Sequence, residues 1–219
     1  MRRRDPFVTL TGVDERCSKR DLTELLVRNV EVGILLSANP EGRHRYPSLE
    51  WIGDAVSFLG DRCAIHFCGR AAREGLLDSQ YDWLVDRVGR IQINGSLADS
   101  DLDWALAHWP EKTIITQWAF TPEEYRDIHE TSDNHAILID GSGGRGIVPK
   151  AWPEIRHPVK DIGFAGGLSP ENIKQELTKI LAIAQGGAWI DMESSLRVDD
   201  WFSMERAREV VRAVSDSFL

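Results

Sequence analysis

The chain has 219 residues, 42% hydrophobic and 28% charged, an ordinary globular composition with room for one large domain or two small ones. Its 26 basic against 35 acidic residues leave a net charge of −9, which speaks against nucleic acid, because phosphate-backbone binding is driven largely by cationic side chains. No apolar run approaches the roughly 18 residues of a membrane helix. The basic start Met1-Arg2-Arg3-Arg4 is followed by no apolar region of the signal-peptide kind, so a cytoplasmic protein without a membrane partner is expected. Three cysteines, Cys17, Cys63 and Cys68, show no CxxC spacing, so neither a disulfide framework nor a cysteine zinc site is expected.

Along the chain, short apolar runs alternate with helical patterns. Phe7–Thr11 reads as a strand ending at Gly12. Ser18–Asn29 reads as a helix, with Leu22, Leu25, Leu26 and Val27 on or near one face. Val30–Leu36 is a second strand, and Leu49–Leu59 a helix after the start signal Pro47-Ser48. Cys63–Phe67 is a third strand, Ser79–Val88 a helix, and Arg90–Ile93 a fourth strand ending at Asn94-Gly95. Leu102–His108 is a helix stopped by Pro110, and Thr113–Trp118 a fifth strand. Thr121-Pro122-Glu123-Glu124 signals a helix start, with acids in the first turn. Ala136–Ile139 is a sixth strand that runs into Asp140, and Asp161–Phe164 a seventh. Gly166-Gly167 then turns the chain, and Ser169-Pro170 opens a helix to Ala184, Ser as N-cap and Pro at the first helical position. Ala188–Met192 is the eighth strand, and Ser203–Val214 the last helix, with Met204, Ala207, Val210, Val211 and Val214 as its stripe.

Eight strand signals alternating with seven or eight helices predict a parallel sheet with right-handed crossovers. That is the count of a single (β/α)8 TIM barrel covering residues 1–219. A doubly wound open sheet would put its glycine-rich turn after the first strand, where Thr11-Gly12-Val13 stands. The glycine-rich turns follow the sixth and seventh strands instead, the place of a barrel's phosphate site.

In a barrel the carboxyl ends of the strands face the site. Asp140 directly ends an apolar strand, Ile137-Leu138-Ile139-Asp140, and a lone carboxylate there can titrate high and serve as an acid. Gly141-Ser142-Gly143-Gly144-Arg145-Gly146 follows, a loop that allows close backbone approach to a ligand or a mobile lid. Gly166-Gly167, feeding a helix start, forms an anion site with free N–H groups, or a plain connection. Ser194 and Ser195 after the eighth strand could complete a phosphate cup, and the arginine fork of Arg43 or Arg45 suits a carboxylate or phosphate. Trp118 ends a strand as a candidate aromatic wall, and His66 reads as a packed or lumen residue. No HxH or HExxH pattern and no nucleophile elbow occur, so neither a metal nor another cofactor is expected.

With these motifs in order, the chain resembles the phosphoribosylanthranilate isomerase family, small (β/α)8 enzymes of tryptophan biosynthesis. The carriers are F-A-G-G-L-S-P-E-N-I at 164–173, I-L-I-D-G-S-G-G-R-G at 137–146, R-Y at 45–46, I-Q-I-N-G at 91–95 and I-D-M-E-S-S at 190–195. The resemblance implies an Amadori-type aldose–ketose isomerisation of a phosphorylated small molecule, by a monomer or homodimer. It assigns Asp140 as the acid and Arg45 as a carboxylate clamp, with Gly143, Gly144, Gly166, Gly167, Ser194 and Ser195 around the phosphate. Asn94 and Arg145 stand at substrate-facing places where the family has a histidine and a small hydroxyl residue. Thr11 stands where the family has its general-base cysteine, and a hydroxyl is a very poor base near neutral pH. The resemblance leaves three readings: an isomerase wired differently, with Cys17 or Cys68 recruited as base; an enzyme for another phosphoribosyl compound; or a ligand-binding protein that has kept the pocket without the chemistry.

Overall fold

Eight parallel strands close on themselves in chain order: β1 Phe7–Thr11, β2 Val30–Ser37, β3 Cys63–Cys68, β4 Arg90–Ile93, β5 Thr113–Trp118, β6 His135–Asp140, β7 Ile162–Ala165 and β8 Ala188–Met192. Closure is made by β1, whose Val8 pairs with Val30 on one side and with Ile190 on the other. The expected single (β/α)8 barrel is the observed architecture. The computed structural model describes residues 7–118, 132–140, 146–153, 161–184 and 188–215. The helix start expected at Thr121-Pro122 lies outside them, as do Gly143, Gly144 and Arg145.

Around the barrel lie α1 Lys19–Leu25, α2 Leu49–Leu59, α3 Arg70–Leu77, α4 Asp82–Val85, α5 Asp99–His108, α6 Ile173–Ile183 and α7 Met204–Ser215. Ser18 caps α1 in a reciprocal capping box with Asp21, satisfying two end donors at once. The helix stops at Leu25, short of the expected Asn29, because the chain must turn back into β2, and Asn29 does so at φ 61°. Between β3 and β4 there are two helices in place of one, separated at Ser79, whose φ of 61° no helix accommodates. After β7 the helix begins at Ile173 rather than Ser169. Asn172 is its N-cap, and its side chain closes the turn before it, accepting from the Ser169 N–H (2.8 Å) and donating to the Gly167 carbonyl (2.9 Å). After β8 a short hairpin appears that the sequence pattern did not suggest: β9 Arg197–Val198 and β10 Trp201–Phe202. They are joined by Asp199 and Asp200, both at positive φ, as a tight hairpin turn demands.

Two apolar cores follow from strand alternation, since successive side chains point to opposite faces. Outward residues such as Ile190 and Met192 join the helices in the larger core, including Ala207, Val210 and Val214 of α7. Inward residues form a small lumen cluster of Ile115, Ala136, Leu138, Ala165 and Trp189. Beside it the Arg90 guanidinium lies over the rings of Trp189 (4.2 Å) and Phe7 (4.9 Å) and pairs with Glu31 at 3.1 Å. Glu31 also accepts from Thr9. The paired charge and aromatic faces satisfy a buried cation and give the lumen a solid floor.

Candidate active site

Above that floor opens a cavity of about 470 Å³ at the carboxyl ends of the strands, within the size range of small-molecule sites. One part of its lining is glycine and hydroxyl: Gly146, Gly166, Gly167, Ser169, Ser194 and Ser195. Another is amide, from Gln92, Asn94 and Gln117, and a third is acidic, from Asp140, Asp191 and Glu193. Among the described residues no lysine or arginine lines it, and none converge as a group of three or more metal-ligating side chains.

Asp140 ends β6 and faces the cavity, with a carboxylate oxygen accepting from Gln117 Nε2 at 3.1 Å. Asn94 also lines it, held on both sides: Gln92 Nε2 donates to its Oδ1 at 2.8 Å, and its own Nδ2 points at Cys68 Sγ at 3.3 Å. Trp118 does not reach the cavity. Alternation turns Gln117 inward and Trp118 outward, where its indole N–H donates to Thr116 and its ring packs on the helix-side core. Cys17 and Cys68, the two candidate bases, are buried, which pushes each thiol up to about 12.

Thr11, buried at the end of β1, donates its hydroxyl to Asp191 Oδ1 at 2.5 Å. The space for it comes from β2: a Cβ on the paired Gly33 would stand 2.3 Å from Thr11 Oγ1. Burial pushes the Asp191 carboxyl up to about 7; Glu31 and Asp140 push the same way, while the Thr11 hydrogen bond and Arg90 pull it back. His66 Nδ1 lies 3.9 Å from the other Asp191 oxygen. Burial brings His66 down to about 3, so the imidazole is neutral at ordinary pH.

Asp191 is the residue sequence reading missed. It lies inside β8, one position before the strand's end, where a rule that takes strand ends as site-facing does not reach. The signal was present: in Ala188-Trp189-Ile190-Asp191-Met192 a charged residue interrupts an apolar strand at the same parity as Glu193. Gln92 and Gln117 follow the same inward rule.

Of the six residues expected around a phosphate, Gly166, Gly167, Ser194 and Ser195 line the glycine–serine side of the cavity, and Gly143 and Gly144 lie outside the described residues. Gly166 and Gly167 sit at φ 109° and 65°, which favours glycine. At Gly167 there is a further reason, since a Cβ would stand 2.1 Å from the Val148 nitrogen of the segment crossing it. Ser195 Oγ is buried with no hydrogen-bond partner among the described residues. Arg45 is turned elsewhere: it pairs with Asp200 at 2.6 Å and Glu193 at 3.1 Å. Asp200 is delivered by the turn between β9 and β10. The hairpin is tied to the loop after β1 by Arg197, which bonds Asp14 at 3.3 Å and the Gly12 carbonyl at 2.6 Å.

No protein-family model matches the sequence, and no curated protein does. Solved structures do match. Phosphoribosyl anthranilate isomerase from Thermotoga maritima superposes with a TM-score of 0.68 at 16% identity, covering 96% of this chain and 98% of that one. The Thermus thermophilus enzyme gives 0.64 at 18%, covering 96% and 99%. A thiamine phosphate pyrophosphorylase from Pyrococcus furiosus also matches, with a TM-score of 0.54 at 13% identity, covering 97% and 96%. The fold is therefore that of a single (β/α)8 barrel, and along almost its whole length the chain is similar to phosphoribosyl anthranilate isomerases, at a sequence distance that marks it as divergent.

Proposed function

We propose that the protein binds a phosphorylated aldose derivative of the phosphoribosyl class in this cavity and isomerises it to the ketose. The carrying observation is that Asp140 and the glycine–serine turns after β7 and β8 line one cavity. In this reading Gly166, Gly167, Ser194 and Ser195 take the phosphate, joined by Gly143 and Gly144. Asp140 gives its proton to the ring oxygen, so that the ring C1–O bond breaks and the chain opens. Asn94 meets the sugar hydroxyls, Arg145 the substrate from the glycine loop, and Trp118 is left with a packing role. Arg45 meets a carboxylate on the aglycone only by releasing Glu193 or Asp200. Support comes from the structural likeness, which includes a phosphoribosyl anthranilate isomerase solved with reduced 1-(o-carboxyphenylamino)-1-deoxyribulose 5-phosphate, at 15% identity and a TM-score of 0.64.

The test is turnover of N-(5′-phosphoribosyl)anthranilate. Wild type converts it to the ketose, and Asp140→Asn loses about 10²–10⁴-fold in kcat. A ligand-binding protein without turnover is the second reading, favoured by Thr11, whose hydroxyl is no base near neutral pH. It gains if the wild type is inert yet carries a phosphorylated small molecule through purification, detected by mass spectrometry after denaturation.

A further inference from the structure

We propose that the carboxylate of Asp191, held by the Thr11 hydroxyl, is the base that removes the C2 proton in the isomerisation. This rests on the isomerase reading above. The geometry carries it by placement and by elimination. Asp191 lines the same cavity as Asp140, and one of its oxygens is fixed by a 2.5 Å hydrogen bond from Thr11. Of the other candidate bases nearby, His66 is held at about 3 and too weakly basic, and the Cys68 thiol at about 12 stays protonated. Glu31 is spent on Arg90 in the floor, and Glu193 is paired with Arg45. A carboxylate poised near neutrality is matched to proton abstraction at ordinary pH. Thr11 is then a positioning residue: it supplies no basic pair of its own and aims the one that does.

The step balances without any further reagent. Ring opening leaves an iminium at C1. Asp191 takes the C2 proton; the C2–H pair becomes the C1=C2 bond, and the C1=N pair returns to nitrogen, giving an enaminol. C1 then gains a proton as the C2 hydroxyl loses its own, and the ketose product is an isomer of the substrate. The groups facing Asp191 set its titration: Thr11 from β1, Glu31 from β2, His66 from β3, Arg90 from β4, Asp140 from β6 and Glu193 from the turn just after β8.

The experiment compares wild type with Asp191→Asn, Asp191→Glu and Thr11→Val. Turnover uses N-(5′-phosphoribosyl)anthranilate carrying deuterium at C2, and binding is measured in parallel with ribose 5-phosphate by calorimetry. Asp191→Asn is expected to bind ribose 5-phosphate as wild type does and to lose about 10²–10⁴-fold in kcat. Asp191→Glu recovers part of that loss. In wild type kcat rises with pH through about 7, the Asp191 value. Thr11→Val moves that limb to higher pH, because a hydrogen bond donated to the ionised carboxylate is gone. Undiminished turnover by Asp191→Asn, with binding intact, overturns the assignment and leaves the isomerase reading standing. An unmoved limb in Thr11→Val overturns the positioning role. A wild type that neither binds ribose 5-phosphate nor turns over the substrate overturns the isomerase reading and the assignment with it.

Discussion

Gly33 and Thr11 form one unit in the lumen. They are register partners on β2 and β1, and the missing side chain of one is the room for the hydroxyl of the other. A Cβ on Gly33 would stand 2.3 Å from Thr11 Oγ1 and 2.9 Å from its Cα, so rotating the threonine does not relieve the contact. Gly33→Ala is therefore expected to cost about 1–3 kcal/mol, the usual range for overpacking, read as a lowered urea midpoint. It is also expected to reduce kcat by displacing the hydroxyl from Asp191. At this scale the sequence spoke unevenly. Asp140 was legible because it follows an apolar run and so marks a strand end. Asp191 was not, since no local pattern says whether a charge inside a strand faces the lumen or the helices, and only closure of the barrel puts its face inside. The Arg45 pairing was illegible for another reason: its partners lie 148 and 155 residues away, at a distance no local pattern encodes.

The hairpin after β8 works as a strap. Arg197 and Asp14 are both deeply buried, and Asp14 also accepts from the Phe202 N–H at 2.7 Å. The strap thus fixes the loop after β1, and through Asp200 it fixes Arg45. Asp14→Ala removes one member of a buried charge pair and leaves the other uncompensated, which typically costs about 3–5 kcal/mol. A melting temperature lowered well beyond that of Asp14→Asn is expected, because asparagine still accepts from Phe202. Equal melting of the two variants would make the Phe202 hydrogen bond irrelevant and assign the whole loss to the charge that Arg197 loses. Six of the eight strands were legible as apolar runs closed by glycine, asparagine or a charge, and β2 and β5 from the apolar run alone. The hairpin was not: two residues a side carry too short a pattern, and its Asp-Asp turn lacks the usual glycine.

At the scale of the whole molecule, the lumen groups Asp191 and His66 are buried in their neutral or near-neutral forms, and their effects on stability oppose each other. Asp191 titrates at about 7 when folded against an ordinary 3.8, with burial the chief cause. Between those values the folded state holds the extra proton, so this group lowers stability as pH rises. His66 titrates at about 3 when folded against 6.5, again through burial. Between those values the unfolded state holds the extra proton, so this group raises stability as pH rises. Each amounts to something on the order of 4 kcal/mol across its window, and the windows overlap from roughly pH 4 to 6.5. Wild type is expected to show a nearly flat contribution there, concealing both costs. Single variants uncover them with opposite signs. In Asp191→Asn the His66 slope remains, and the urea midpoint climbs from pH 4 to 6.5. In His66→Gln the Asp191 slope remains, and the midpoint falls over the same range. Profiles that stay parallel to wild type in both variants would mean that the two groups titrate normally in the fold. The opposite slopes would mean that the lumen keeps a carboxyl near its turning point, at a cost in stability that the neighbouring histidine masks.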